Sequence, residues 1–324
     1  MSELIALSVV IPAYREACHI HESLHVIDRV VQQIGVSYEL ICIDDGSPDL
    51  TWQSLKRATD SLENLQIIRL SRNFGKESAI IAGLEASRGG AVVVMDSDLQ
   101  HPPNLIGSMY DRWLDGGQVV NAIKKKTNRD SVLHEFAAGL FYRTFQKITG
   151  ADLANSSDFK LLDREVVDAY LRMPESQPFF RGIIQWMGYS QEAIEFEVQD
   201  RTEGESTFTI ASLFRMAMEV IIGSSGILLQ GATFAGAVSL LVGLFLVVKS
   251  VYQKAIGVAV EGFATVILLQ FIFSSVILLG MGVIGLYLAS IHRELKARPR
   301  FLVRETNVRA RSDREQIRAF KQAA

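Results

Sequence analysis

The stretch Ala91-Val92-Val93-Val94-Met95-Asp96-Ser97-Asp98-Leu99-Gln100 decides the fold. Its first half is a short β-branched run, which predicts a buried strand rather than a helix. Two aspartates follow at once, at the end of the strand where parallel α/β sheets bind their ligands. Residues two apart in an extended chain point to the same side, so Asp96 and Asp98 can hold one hard divalent cation that carries a diphosphate. The alternative is that Asp98 caps the helix after Pro102-Pro103.

Upstream of this stretch, apolar strands alternate with helical segments, which predicts a parallel, doubly wound α/β sheet. The predicted strands are residues 7–12, 38–43 and 65–70, and the predicted helices are residues 15–34, 51–62 and 78–87. Downstream, we expect helix over about residues 104–150, interrupted by a basic turn at 124–129. No Gly-x-Gly-x-x-Gly follows the first strand and no Walker sequence occurs, so neither dinucleotide nor P-loop chemistry is indicated.

Polar clusters follow three successive predicted strands and would line one edge of the sheet. In strand order they are Asp44 with Asp45, then Arg72 with Asn73 and Lys76, then Asp96 with Asp98. The first carboxylates can accept the N–H of a pyrimidine and ribose hydroxyls, the cations can meet phosphate, and the last pair holds a metal. Alone, each also has a structural explanation, such as an Asx-turn at Asp45 or a helix cap at Ser71. Together they predict a nucleotide-diphosphate site.

Composition and hydropathy bound the class of protein. The chain has 324 residues, a net charge of −3 and two cysteines, which fits a reducing compartment and gives no support to nucleic-acid binding. Two apolar runs, over residues 226–248 and 262–291, each exceed the ~20 residues that cross a bilayer, although two buried core helices are the alternative. The basic segment that follows predicts a cytoplasmic end by the positive-inside rule. We expect a transmembrane hairpin over residues 226–291 and a basic cytoplasmic tail over 292–324.

Residues 208–225 have apolar positions at helical spacing and predict an amphipathic helix, either in the membrane interface or packed on the domain core. Lys124 and Arg129 belong to the basic turn, which is either solvated or attracts phosphate. Asp158 lies in a small polar turn, where it either caps a helix or acts in the site. Gln185 and Trp186 are acceptor-side contacts or ordinary core.

These motifs together resemble the polyprenyl-phosphate glycosyltransferases of glycosyltransferase family 2, a group that includes dolichyl-phosphate mannose synthase and bacterial bactoprenol glucosyltransferases. The matching segments are residues 9–12, 44–47, 70–77, 96–100, 158–164 and 297–300, together with the two apolar runs. The resemblance implies an α/β GT-A domain over residues 1–207 and Mg²⁺ or Mn²⁺ as the metal. It also implies inverting transfer of one sugar, with glucose as the first candidate, from a UDP-sugar to polyprenyl (undecaprenyl) phosphate.

The resemblance also implies a place in the cell and a role for each site residue. The protein would be a homo-oligomer, such as a tetramer, in the bacterial inner membrane, with its catalytic domain and both termini cytoplasmic. Asp98 and Asp158 would be catalytic, Asp158 as a weak base or an orienting group, and Asp96 with Asp98 would bind the metal. Acceptor-phosphate candidates are Lys124, Arg129 and Arg201. Nucleotide-sugar-binding candidates are Pro12, Tyr14, Glu16, Asp44, Asp45, Asn73, Lys76, Asp96, Ser97 and Gln100.

Departures from the family pattern fall on the acceptor and membrane side, at Ser157, Thr207, Gln230 and Leu286. Two other hypotheses therefore stay open. One is transfer of the sugar to a different lipid acceptor, and the other is an inactive, membrane-anchored scaffold that keeps the nucleotide-sugar fold.

Overall fold

The computed structural model describes residues 5–124, 157–175, 179–196, 227–257, 262–296 and 298–307. They belong to two compact units, an α/β unit that includes residues 298–307 and a helical unit that holds residues 227–296. The α/β unit contains β1 (Leu7–Ala13), α1 (Ile20–Ile34), β2 (Tyr38–Asp44), α2 (Thr51–Thr59), β3 (Leu65–Leu70), α3 (Lys76–Ala86), β4 (Ala91–Val94), α4 (Leu105–Leu114), β5 (Val119–Lys124), β6 (Lys160–Asp163), α5 (Arg164–Leu171), α6 (Phe180–Trp186) and β7 (Gln191–Phe196). The helical unit contains α7 (Ile227–Ala255) and α8 (Phe263–Leu295), after which β8 (Val303–Thr306) rejoins the α/β unit.

One eight-stranded sheet, in the order β7-β5-β6-β4-β1-β2-β3-β8, organises the α/β unit. β1 pairs in parallel with β2 and β4, and β2 pairs in parallel with β3. β6 and β8 run antiparallel to their neighbours. The predicted mostly parallel α/β fold is thus confirmed, and the carboxyl ends of β1 to β4 lie at one edge of the sheet.

Apolar side chains on both faces of the sheet pack against helices. Along β1, Val9 and Val10 point to opposite faces and belong to two different apolar clusters, as the twofold period of a strand requires. Each fully buried aliphatic side chain of this kind contributes about 1.5–3 kcal/mol. On one face α3 approaches the sheet closely, because a side chain at Gly83 would collide with Val10 and Ile43.

The structure corrects two predicted helices. α1 begins at Ile20 and not at Arg15, because Arg15 has a left-handed φ of 60° and starts a turn. Residues 119–124 form β5 and not helix, since the β-branched pair Val119-Val120 fits between β6 and β7.

The expected basic tail is also corrected in part, because residues 303–306 form the edge strand β8. Asn307 accepts the N–H of Ile67 (2.6 Å) and donates to the carbonyl of Leu65 (3.2 Å), which fastens this strand to β3. Glu305 accepts the indole N–H of Trp52 (2.9 Å). All four strand positions are exposed, so this segment lacks the apolar alternation that reveals a half-buried strand.

Two helices are long and apolar enough to cross a membrane by length and composition, over residues 229–253 and 269–292, each with a mean hydropathy of 2.2. Neither segment is buried within the described part of the structure, whereas the alternative of two core helices requires buried segments. Within the helical unit α7 and α8 touch, and a side chain at Gly243 would lie 3.0 Å from the Phe273 ring. The predicted amphipathic helix at 208–225 lies outside the described residues.

Candidate active site

Loops that follow the parallel strands meet at one edge of the sheet. The loop after β2 touches the loop after β3, because a side chain at Gly46 would collide with the backbone of Arg72. Gly46 also has a left-handed φ of 65°, which glycine adopts without strain. Asp158 lies two residues before β6 begins. Because β6 pairs antiparallel with β4, the start of β6 lies beside the end of β4, just before Asp96. The strand order therefore brings the predicted clusters and Asp158 to the same edge.

The first cluster, Asp44 with Asp45, is held by the protein itself. Asp45 is 3% exposed, and its two oxygens accept the N–H groups of Phe74 (2.7 Å) and Gly75 (2.8 Å). Asp44 has no exposed surface, and its Oδ1 accepts the N–H of Ser47 (2.9 Å). Burial raises the pKa of both carboxyls. Both residues fix the loops that frame the site, and their direct contact with a nucleoside stays a prediction.

The turn after β4 carries Asp96 and Asp98. Leu99 follows with a φ of 56°, a left-handed conformation that is uncommon for a leucine, and its side chain packs against the apolar core. The core thus holds the turn in a shape that the backbone alone disfavours. Asp98 is exposed, and its Oδ1 accepts the N–H of Gln100 (3.1 Å).

Both helix-cap alternatives are wrong. The N-cap of α4 is Asn104, six residues beyond Asp98, and it makes no side-chain cap hydrogen bond. Asp158 is followed by a strand, and the cap of the next helix, α5, is Asp163, which accepts the N–H of Glu165 (2.8 Å). The two aspartates are therefore available for chemistry.

Asp158 lies at the centre of an ion-pair network and is 6% exposed. From α6, Arg181 donates Nε to Oδ1 (2.5 Å) and Nη2 to Oδ2 (2.6 Å), which is a bidentate charge-assisted pair. From the first turn of α3, Lys76 donates Nζ to Oδ2 of Asp158 (2.6 Å) and lies 2.5 Å from Oδ1 of Asp96. Lys76 therefore joins Asp158 to the predicted metal site.

Electrostatics keep Asp158 and Lys76 charged. Burial alone would raise the pKa of Asp158, but the hydrogen bonds of Arg181 and the charge of Lys76 outweigh it and hold that pKa well below its usual range. Burial would lower the pKa of Lys76, but the charges of Asp96 and Asp158 raise it. Both oxygens of Asp158 already accept hydrogen bonds from cations, so the geometry favours Asp158 as an orienting group and not as a base.

Glu77, the neighbour of Lys76, faces the same network. Its Oε2 accepts the backbone N–H of Phe180 (3.1 Å), the residue before Arg181. Burial is the main influence on the Glu77 carboxyl and raises its pKa to about 7. Two consecutive residues of α3 therefore contact the surroundings of Asp158.

The remaining predicted residues differ in exposure. Tyr14 (38% exposed), Asn73 and Gln100 are open to solvent and so to a ligand, whereas Pro12 and Ser97 are buried. The Lys124 side chain, Arg129 and Arg201 lie outside the described residues. Trp186 is 74% exposed, so its assignment to the core is wrong.

Sequence reasoning missed Arg181, Glu77 and Lys160 as site residues. Arg181 is 23 positions from Asp158, and a contact at that distance in the chain leaves no spacing signal. Lys160 does carry a sequence signal, because it is a lysine at the start of an apolar run. It is 2% exposed, its Nζ donates to Oδ1 of Asn121 (2.5 Å), and burial lowers its pKa to about 8.

The donor set at this edge fits a divalent cation. Carboxylate oxygens suit Mg²⁺ and Mn²⁺, and Mg²⁺ commonly uses one or two protein carboxylates with substrate phosphates and water. Asp96 already pairs with a cation, the ammonium of Lys76. Burial and then the charge of Asp98 raise the pKa of Glu16, a third carboxyl near the pair. Among the residues that the structure describes, no three His, Cys, Asp or Glu side chains form a complete site, so a diphosphate and water would complete the coordination.

Comparison with known proteins agrees with this geometry. The family model described as "Glycosyl transferase family 2" matches residues 8–171. The chain is 34% identical over 308 residues to the uncharacterized glycosyltransferase YkcC of Bacillus subtilis, covering 94% of this chain and 95% of the relative. It is 30% identical over 307 residues to the bactoprenol glucosyl transferase of Shigella phage SfX, covering 92% and 98%.

Among solved structures, glucosyl-3-phosphoglycerate synthase from Mycobacterium tuberculosis in complex with Mn²⁺, UDP and phosphoglyceric acid superimposes with a TM-score of 0.49 at 21% identity. The superposition covers 67% of this chain and 76% of that one.

Proposed function

The chain belongs to glycosyl transferase family 2 and is a glycosyltransferase, and from this premise we propose that it moves one sugar from a UDP-sugar to polyprenyl (undecaprenyl) phosphate at a membrane. The observation that carries the proposal is the shared lysine, since Lys76 contacts both the metal-site residue Asp96 and the Asp158–Arg181 pair. Donor and acceptor phosphates would thus meet around one group of charges. The relative named bactoprenol glucosyl transferase supports a polyprenyl acceptor and glucose as the first sugar to test.

On the donor side, the diphosphate of the UDP-sugar would lie at the carboxyl ends of β1 to β4. Asp96 and Asp98 would hold the Mg²⁺ or Mn²⁺, which when bound supplies a Lewis acid for the charge that develops on the leaving diphosphate. Tyr14, Asn73 and Gln100 are the exposed candidates for contact with the nucleotide and sugar. Lys76 is a cation that can contact the leaving diphosphate, because its side chain is 41% exposed.

On the acceptor side, the nucleophile would be an oxygen of the lipid phosphate. Its second pKa lies near 6, so the phosphate is largely dianionic at neutral pH and needs little help from a base. That oxygen forms the new bond to the anomeric carbon from the face opposite the diphosphate, the old bond to the diphosphate breaks, and UDP leaves with inversion. The chain's part is to hold the two anions in line, and Asp158 would do so by orienting the cations Arg181 and Lys76.

The connectivity of the chain limits how it can cross a membrane. The chain leaves the sheet after β7, passes through both apolar helices and returns to the same sheet as β8, so any membrane crossings in between must be even in number. A hairpin of two crossings meets this condition and puts the α/β unit and residues 298–307 on one side. With the positive-inside rule that side is the cytoplasm, in the inner membrane of a bacterium. A homo-oligomer stays a prediction.

Transfer assays with purified protein in detergent test the proposal. We expect labelled sugar to pass from one member of a panel of UDP-sugars to undecaprenyl phosphate, only with Mn²⁺ or Mg²⁺ present. Asp98→Asn should abolish this transfer, and the matched control Asp111→Asn, at an exposed position of α4, should retain it. Release of UDP without a labelled polyprenyl lipid would instead favour another acceptor.

A further inference from the structure

A carboxylate outside the predicted site connects α3 with α6 beside Asp158. We propose that Glu77 is a positioning residue, whose carboxylate holds the backbone at Phe180 and thereby aims Arg181 at Asp158. This inference rests on the proposed function, because its effect is expected at the step in which the acceptor phosphate reacts.

The contacts around Phe180 show why Glu77 has this effect. The Phe180 ring is fully buried and packs edge-on against the Tyr170 ring, with centroids 5.5 Å apart. Its N–H donates to Oε2 of Glu77 at 3.1 Å. The ring contact fixes one side of the residue and the hydrogen bond fixes the backbone, so the position of the next residue, Arg181, is determined.

Arg181 depends on such an anchor. Its side chain is 36% exposed, so packing encloses only part of it. Yet it makes a two-point contact with Asp158, at 2.5 and 2.6 Å, and such a fork tolerates little displacement. A shift of the backbone at Phe180 would move the fork away from Asp158.

The two contacts of α3 act on the same carboxylate from two directions. Lys76 contacts Asp158 directly, and Glu77 contacts it through Phe180 and Arg181. The first turn of α3 therefore sets both cations of the network. This role of Glu77 requires no proton transfer, since its Oε2 accepts a backbone N–H.

The test is a double-mutant cycle in the undecaprenyl phosphate transfer assay. Glu77→Ala removes the acceptor of the Phe180 N–H, and we expect kcat to fall about 10- to 100-fold, the cost of a displacement near 1 Å in a reacting site. Glu77→Gln keeps a carbonyl oxygen at that place and should stay within about threefold of the wild type. In an Arg181→Ala background, Glu77→Ala should cause almost no further loss, because it acts through Arg181.

Two further measurements separate positioning from folding. Mn²⁺-dependent UDP binding and the melting temperature of Glu77→Ala should remain near those of the wild type. The control Glu85→Ala changes an exposed carboxylate of the same helix and should leave kcat unchanged. Parallel loss of folding and UDP binding would make Glu77 a structural residue.

Other outcomes would also overturn the proposal. Equal losses in Glu77→Gln and Glu77→Ala would point to a need for the charge or proton of Glu77. Losses that multiply in the double mutant would show that Glu77 does not act through Arg181. Absence of transfer by the wild type would contradict the proposed function, and hence is distinguishable from failure of the Glu77 inference.

Discussion

Replacement of Asp158 by asparagine tests the charged network most sharply. The carboxylate accepts three charge-assisted hydrogen bonds, two from Arg181 and one from Lys76, at 2.5–2.6 Å. Such a bond contributes about 1.5 kcal/mol at the low end of its range, and we use the low end because both cations are partly exposed. Asparagine has a single acceptor oxygen, so at best it keeps two of the three bonds at about half their energy and loses the third, a total loss of about 3 kcal/mol.

If this energy orients the cations in the transition state, Asp158→Asn lowers kcat about 150-fold, since 1.36 kcal/mol corresponds to a factor of ten. The KM for the UDP-sugar should stay within about threefold, because Asp158 does not hold the donor. Steady-state transfer of labelled sugar to undecaprenyl phosphate measures both values. The matched control is Asp168→Asn, which changes an exposed aspartate paired with Arg164 on α5 and should leave both values unchanged.

A kcat of Asp158→Asn within threefold of the wild type would refute this reasoning. So would a loss confined to the KM of the donor, because it would place Asp158 in donor binding. The melting temperature of the variant should be measured alongside, so that a folding defect is not taken for a defect in turnover.

Three more predictions concern the metal site, the acceptor phosphate and the edge strand β8. Asp98→Asn should weaken Mn²⁺-dependent UDP binding at least about tenfold by titration calorimetry, since even changes beyond the direct ligands cost this much, and unchanged binding would exclude Asp98 as a ligand. Between about pH 5 and pH 9, kcat should decline only toward the acid side, as the lipid phosphate takes its second proton near pH 6. Asp158 stays ionised over this range because its pKa in the folded protein is depressed. Its stabilising contribution is lost only as pH falls below the ordinary value of 3.8. An ionisation near pH 7 that Asp158→Asn removes would therefore contradict the assignment of Asp158 as an orienting carboxylate. Asn307→Ala removes two side-chain hydrogen bonds to β3 and should lower the free energy of unfolding by about 1–2 kcal/mol in a urea titration, whereas no change would mean that β8 does not stabilise the sheet.

The strands of the parallel core could be predicted from sequence because their burial on two faces forces continuous apolar runs. Residues 91–94 are an example, a fully buried run whose strand ends one residue before the predicted end; β3 has its predicted ends, 65 and 70, although Gln66 and Arg69 interrupt its apolar run. The same argument fails at the edges of the sheet. β8 is exposed at every position, and β5 lies in a segment whose composition also suits helix, so both depend on pairing with strands far away in the chain.

The candidate site divides in a similar way. The polar groups that follow strands were predictable because the carboxyl ends of parallel strands share one edge, and Asp96, Lys76 and Asp158 do meet there. Arg181 and Glu77 were not, because they reach the site from helices whose packing the sequence does not specify. The buried position of Asp44 and Asp45 was also hidden, since the backbone N–H groups that bind Asp45 belong to a different loop.

The stereochemistry of the product tests the central claim most directly. The purified protein would be incubated with UDP-glucose, Mn²⁺ and undecaprenyl phosphate, and the anomeric configuration of the extracted lipid product would be determined by NMR. In-line attack by the lipid phosphate predicts a glucosyl phosphate of β configuration, opposite to that of the donor. An α-linked product would contradict the account. So would release of UDP and free sugar, without a glycosylated lipid, from UDP-glucose and from every other UDP-sugar tried.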